Sequence, residues 1–87
     1  MSQMIIDVRE PFEFMMGHVR GAINIPPSKL MAGATKLAGV PKDTELILYC
    51  RSGSRSAVSI NILQSMGYTN LVNGINQNHV TAKYLST

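Results

Sequence analysis

Cys50 is the only cysteine in this 87-residue chain, and Arg51-Ser52-Gly53-Ser54-Arg55 follows it directly. A lone cysteine at the end of an apolar strand is often an inert packing residue. The five residues after it point elsewhere. Small residues let the backbone curl until successive N–H groups face inward as an anion-binding nest. A helix starting just beyond the loop turns its positive end to the same place, and Arg51 and Arg55 add formal charge. Each feature favours thiolate over thiol, so the sequence predicts an exposed Cys50 of depressed pKa, nucleophilic near neutrality.

A preformed thiolate needs no general base beside it, and the loop contains neither histidine nor carboxylate. This separates the site from a cysteine–histidine hydrolase. A Cys-X-X-Cys redox pair is excluded by the single cysteine. Transfer of a sulfur atom needs what the loop holds: a thiolate, donors for a persulfide anion, and cations for an incoming anion.

The elements that would carry this loop can be read from pattern. Met4–Val8 is a nearly continuous apolar run, as for a strand buried on both faces of a parallel sheet. Glu10-Pro11 offers a helix start, Phe12 to Met16 a short helix and Gly17 its stop. Ala22–Ile25 reads as a second strand ended by Pro26-Pro27. Ser28 is the expected N-cap of a helix to Leu37, with Gly33 weakening its middle. Leu46–Cys50 is the most strand-like segment, and Leu71-Val72 marks a fourth strand. From Arg55 to Met66, Val58, Ile62, Leu63 and Met66 fall at helical spacing, with Gly67 at the end. Beyond Gly74 the pattern is ambiguous, although Val80, Tyr84 and Leu85 allow a short helix. Alternating strands and helices predict an open, largely parallel α/β sheet. Ligands gather at the carboxyl ends of such strands, which selects Asp7-Val8-Arg9 and Cys50-Arg51.

Composition limits the partners. The length allows one domain, 1–87, with an ordinary apolar core and no disulfide or metal cluster to brace it. The net charge of +3 comes from scattered residues (Lys29, Lys36, Lys42 and Lys83 among them), with no basic run of the kind nucleic-acid binding requires. Asp7 interrupts the N-terminal apolar stretch, so neither a signal peptide nor a membrane span is expected. An unpaired cysteine suits a reducing compartment, and cytoplasmic residence of a monomer is the expectation.

Two segments together resemble the rhodanese family. Ile6-Asp7-Val8-Arg9-Glu10-Pro11, Glu13-Phe14, Gly17-His18-Val19 and Gly21-Ala22-Ile23-Asn24-Ile25-Pro26 are similar to its N-terminal signature. Cys50–Arg55 resembles its active-site loop, and Gly67-Tyr68-Thr69-Asn70-Leu71 the approach to its last strand. The resemblance implies a rhodanese-like α/β fold: an open, mainly parallel sheet of four or five strands flanked by helices. It implies that the Cys50 thiolate takes the outer sulfur of thiosulfate, releases sulfite and becomes a persulfide, which cyanide or a thiol then discharges. The amides of Arg51, Ser52, Gly53, Ser54 and Arg55 would hold the persulfide, and Arg51 or Arg55 would attract the donor. No cofactor is implied; the partners are a small anionic sulfur donor and a thiol or protein acceptor. The chain departs from the family in three ways. Few residues precede Ile5, as in compact phage-shock-type members; Gly74-Ile75 stands where many members have paired glycines; and there is no tryptophan.

Other residues carry lesser expectations. The Asp7 carboxylate is expected to face the site and orient Arg9 or a loop arginine. His18 is expected to brace the turn into Ala22–Ile25 rather than act as a base. Glu10 and Glu13 read as first-turn helix charges without chemistry, and the six methionines as packing. His79 and Lys83 lie in a tail the pattern does not interpret. Two alternatives stand beside a turning-over sulfurtransferase. One is a relay module that only carries persulfide between partners. The other is a cysteine-dependent phosphatase or arsenate reductase, but those place five residues between cysteine and arginine where this loop has four.

Overall fold

The computed structural model describes residues 3–85. Strands β1 (Gln3–Asp7), β2 (Ile23–Asn24), β3 (Glu45–Tyr49) and β4 (Leu71–Ile75) form one sheet of order β2-β1-β3-β4, with every pair parallel. Helices α1 (Pro11–Met16), α2 (Pro27–Met31, followed by a 3-10 turn at Thr35–Leu37) and α3 (Ser54–Ser65) connect the strands, and α4 (Gln77–Val80) with a π-helical turn at Thr81–Leu85 follows β4. This is the open parallel α/β architecture that the alternation of elements predicts.

β3 shows why the sheet is buried on both sides. Leu46, Leu48 and Cys50 join a core with Ile6, Val8, Ile25, Leu30 and Leu63. Ile47 and Tyr49 point the other way and pack with Val19, Ala22 and Val80. Successive side chains of a strand alternate between faces, so this central strand needs apolar residues throughout. The alternation carries one residue past the strand and places the Cys50 side chain on the α3 side of the sheet.

Several elements differ from expectation. The Ser28–Leu37 helix is broken: α2 starts after Pro26, ends at Met31, and Ala34 takes a left-handed φ of 51° before the 3-10 turn. Ser28 is therefore inside the helix rather than its cap. In α3 Val58 is 55% exposed, and the face turned to the sheet is Ser56, Ser59 and Leu63. Small side chains let this helix approach β3 and β4 closely. β2 is shorter than Ala22–Ile25, and β4 runs on to Ile75. The last two residues of the ambiguous tail lie outside the described residues; residues 77–85 are helical, with Val80 fully buried. Gly74 makes that docking feasible: a Cβ there would come within 2.5 Å of Val80 Cγ2 and 3.2 Å of the Leu48 carbonyl oxygen.

Candidate active site

The loop after β3 wraps around the Cys50 sulfur. Gly53 adopts φ 93°, a left-handed conformation that suits glycine. Its N–H donates to Cys50 Sγ at 3.1 Å, and α3 begins at the next residue. The Ser56 hydroxyl, one turn into α3, lies 3.7 Å from the sulfur on its buried side. Burial pushes the Cys50 thiol up, but the Ser56 N–H and hydroxyl and the Ser52 and Gly53 N–H groups outweigh it and bring the pKa down to about 7. The lowering comes chiefly from these donors rather than from the two arginines the sequence singled out. Cys50 is 2% exposed, so the expected exposed thiolate is instead a sulfur at the base of its loop.

A second layer fixes the loop. The Ser56 hydroxyl reaches Asn73 Oδ1 at 2.7 Å and the Gly53 carbonyl oxygen at 3.1 Å. Asn73 Nδ2 donates to that same carbonyl at 3.0 Å, and Asn73 Oδ1 accepts from the Ile75 N–H. The Cys50 N–H in turn donates to the Ile75 carbonyl oxygen. Ser56 and Asn73 escaped the sequence reading; the available signal was a polar residue on each element that packs behind the loop.

The sulfur opens into a pocket of about 530 Å³ bordered by Arg9, Phe12, Glu13, Met16, Arg51 and the Asn76–Asn78 segment. Phe12 and Met16 are largely exposed and form its apolar rim. Of the expected site residues, Arg9, Cys50 and Arg51 border the pocket. Ser52 and Ser54 are exposed and lie 3.3 Å apart, oxygen to oxygen. Arg55 is taken up by Glu13, its Nη1 donating to Oε1 at 2.7 Å and its Nη2 to Oε2 at 3.1 Å. That pairing holds the Glu13 carboxyl down at about 2. Glu13, read from sequence as a helix charge, thus neutralises an arginine expected to meet the donor. Arg51 is exposed and has no ion pair among the described residues.

Asp7 lies on the sheet face opposite the Cys50 side chain and is fully buried. It does not face the sulfur. Its carboxylate accepts from Arg9 Nε and Nη2 (3.0 and 2.7 Å), from the Arg9 N–H and from the Tyr49 hydroxyl. Of the two pairings expected for Asp7, the one with Arg9 is formed and none with a loop arginine. Arg9 Nη2 also donates to the Gly17 carbonyl oxygen, fixing the end of α1 beside the pocket. Tyr49, which accepts from the Val19 N–H, is pushed up to about 12 by burial and by the Asp7 carboxylate. His18 is exposed, bonds the Phe14 carbonyl through Nδ1 and stacks on the Phe14 ring at 3.6 Å. It braces α1, not the turn into Ala22–Ile25.

A parallel sheet with a cysteine cradled at the carboxyl end of its central strand, under a helix N-terminus, defines an anion-binding thiolate site. Residues 1–77 match the Rhodanese-like domain, and the chain belongs to that family. A rhodanese solved with anions from Escherichia coli superposes with a TM-score of 0.79 at 33% identity, covering 90% of this chain and 91% of that one. The human single-domain sulfurtransferase TSTD1 superposes with a TM-score of 0.77 at 27% identity, covering 93% and 82%. The Escherichia coli thiosulfate sulfurtransferase PspE is 38% identical over 68 residues, 78% of this chain and 64% of that protein. The chain spans less than two thirds of the length of the curated relatives it matches most strongly. No helix among the described residues is long and apolar enough to cross a membrane.

Proposed function

We propose that this chain is a thiosulfate or persulfide sulfurtransferase in which Cys50 carries the sulfur. The observation that carries the reading is the cradle itself: a sulfur with a pKa of about 7, held by the Gly53 N–H and the Ser56 hydroxyl, opening into a pocket with Arg51 at its mouth. The Cys50 thiolate attacks the outer sulfur of thiosulfate; the S–S bond of the donor breaks, and sulfite leaves with its electron pair. The persulfide anion inherits the donors that held the thiolate. Cyanide or a thiol then attacks the outer sulfur, and Cys50 departs as thiolate, a good leaving group at this pKa. Asp7 and Arg9 support the site by fixing α1. A monomer in a reducing compartment is the setting that suits an unpaired cysteine.

Intact-protein mass spectrometry tests the reading on wild type and Cys50→Ser. The expected result is a gain of one sulfur mass (roughly 32 Da) after thiosulfate, on wild type alone and discharged by cyanide. Hydrolysis of an aryl phosphate, lost in Cys50→Ser, would replace this reading with the phosphatase.

A further inference from the structure

The Cys50 pocket does not end at the sulfur's own neighbours. A second depression of about 470 Å³ is bordered by His18, Val19, Arg20, Leu85 and, again, Gln77 and Asn78. The two depressions share Gln77 and Asn78 on one wall, while Met16 and Gly17 of the first adjoin His18 of the second on the other. They lie side by side between residues 16–20 and residues 76–85, a trough in two parts with Gln77 and Asn78 common to both. A small sulfur oxyanion would fill a minor part of it, since cavities of about 300–1,000 Å³ enclose much larger ligands.

The lining of the trough is selective. Cys50 and Arg51 stand at one end, and Arg20 and Leu85 at the other. The side-chain amides of Gln77 and Asn78 are available between them, since neither makes a hydrogen bond among the described residues; the α4 cap is made by Asn76, which accepts from the His79 N–H. The one carboxylate that borders the Cys50 depression, Glu13, is taken up by Arg55, and Arg9 on the same wall is taken up by Asp7. The charges left at the two ends are therefore those of Arg51 and Arg20, both exposed and neither ion-paired among the described residues.

We propose that this trough receives an extended, acidic polypeptide segment whose cysteine takes the sulfur from Cys50. The inference rests on the sulfurtransferase reading for its chemistry and on the trough for its partner. The segment's backbone would bond the Gln77 and Asn78 amides, its carboxylates would meet Arg20 and Arg51, and Phe12 and Met16 would cover its apolar side chains. In the step itself the partner's thiolate attacks the outer sulfur of the Cys50 persulfide. A new S–S bond forms on the partner, the bond to Cys50 Sγ breaks, and Cys50 leaves as thiolate; no external oxidant or reductant is needed.

Two synthetic peptides test this, each with one cysteine, one flanked by glutamates and the other by lysines. Their cysteine-to-serine versions report binding by fluorescence anisotropy without any sulfur chemistry, and the cysteine versions report transfer from the loaded protein by mass spectrometry. Wild type is expected to bind the acidic peptide, and to transfer sulfur to it, at least about five-fold better than the basic one. Arg20→Glu is expected to abolish or reverse that preference and Arg20→Lys to keep it, with cyanide discharge unchanged in both. Normal loading and cyanide discharge with no peptide preference, or a preference that survives Arg20→Glu, would overturn the trough. Charge-selective peptide binding by a protein that never loads sulfur would support the trough and overturn the sulfurtransferase reading instead.

Discussion

Arg55 and Glu13 are 42 residues apart in sequence and form a two-bonded ion pair that ties the first turn of α3 to α1. The pair has two consequences. It clamps the helix that presents its N-terminus to Cys50, and it removes one positive charge from the approach to the sulfur. Of the two arginines flanking the Cys50 loop, Arg51 alone is left without an ion pair among the described residues.

Glu13→Gln releases Arg55 and takes a negative charge from the pocket wall. The expected outcome is a KM for thiosulfate about three- to five-fold lower, the effect of one partly exposed charge on a small anion. The gain should shrink at high ionic strength, as screening predicts. Melting should move slightly downward and most clearly above pH 4.5. The folded-state pKa of Glu13 is depressed, so its stabilisation is present above its ordinary value of 4.5 and is lost as pH falls toward about 2. Steady-state kinetics over a salt series, with melting curves at pH 7 and pH 3, check both parts. An unchanged or higher KM would show that Arg55 does not act on the donor even when freed.

The Cys50 donors set a pH profile. With a pKa of about 7, the rate of sulfur loading should be half-maximal near pH 7 and fall about tenfold for each unit below it. Ser56→Ala removes the hydroxyl but keeps the Ser56 N–H, so the midpoint should move up toward that of an ordinary cysteine. The rate at pH 7 should then drop about fivefold, with the two proteins converging near pH 9 where both are thiolate. Single-turnover loading from pH 5 to pH 9 measures this. A uniform loss across the range would mean that Ser56 shapes the loop without tuning the thiol.

How far the sequence discloses this site follows from the range of the interactions. The Cys50 loop is local: a β-period strand, small residues and a helix start lie within ten positions, and each leaves its pattern. The Asp7–Arg9 pair is two positions long, and the sequence offers it, but beside a pairing with a loop arginine that spacing alone does not exclude. The Glu13–Arg55 pair is not, because helix-local rules describe Glu13 fully as a first-turn charge and nothing nearby demands a partner. Ser56 and Ser59 mislead for a related reason. Counting apolar residues placed Val58 on the inner face of α3, yet a helix lying close over a sheet buries small polar residues that bond the backbone and turns the valine outward. The break after α2 depends on Ala34 accepting a left-handed conformation, which residue type alone does not announce.

Ile75 takes a φ of 71°, a conformation that a β-branched side chain adopts only under strain. It stands where many family members have the second of two glycines. Its N–H is held by Asn73 and its carbonyl oxygen accepts from the Cys50 N–H, so the strain sits against Cys50. Ile75→Gly should stabilise the protein by about 1 kcal/mol, the left-handed penalty less the extra freedom of glycine in the unfolded chain. For a domain of this size that is a rise of about 5 °C in Tm by calorimetry. The rise should come out smaller than that, since Ile75 is only 38% exposed and the change to glycine also gives up the burial of the rest of its side chain. A lower Tm would show that its side-chain contacts outweigh the backbone strain.

Asp7 separates support of the fold from action on the sulfur. Replacing it by alanine strands the Arg9 guanidinium in a site where the side chain is 8% exposed, and it takes away the acceptor of the Tyr49 hydroxyl. Removing one partner of a buried pair costs about 3–5 kcal/mol, a large share of the total stability of a chain this small. Asp7→Ala should therefore melt at least about 12 °C lower. Tyr49→Phe leaves the ion pair intact, takes one donor from the Asp7 carboxylate and leaves the Val19 N–H without its acceptor, so it should lose about 1–3 kcal/mol, less than Asp7→Ala. Because the carboxylate lies across the sheet from Cys50, the folded fraction of Asp7→Ala should load sulfur at a rate close to wild type when assayed well below its melting point. Melting curves paired with single-turnover loading decide the matter. A stable Asp7→Ala protein that fails to load would place the carboxylate in the chemistry, against its position in the fold.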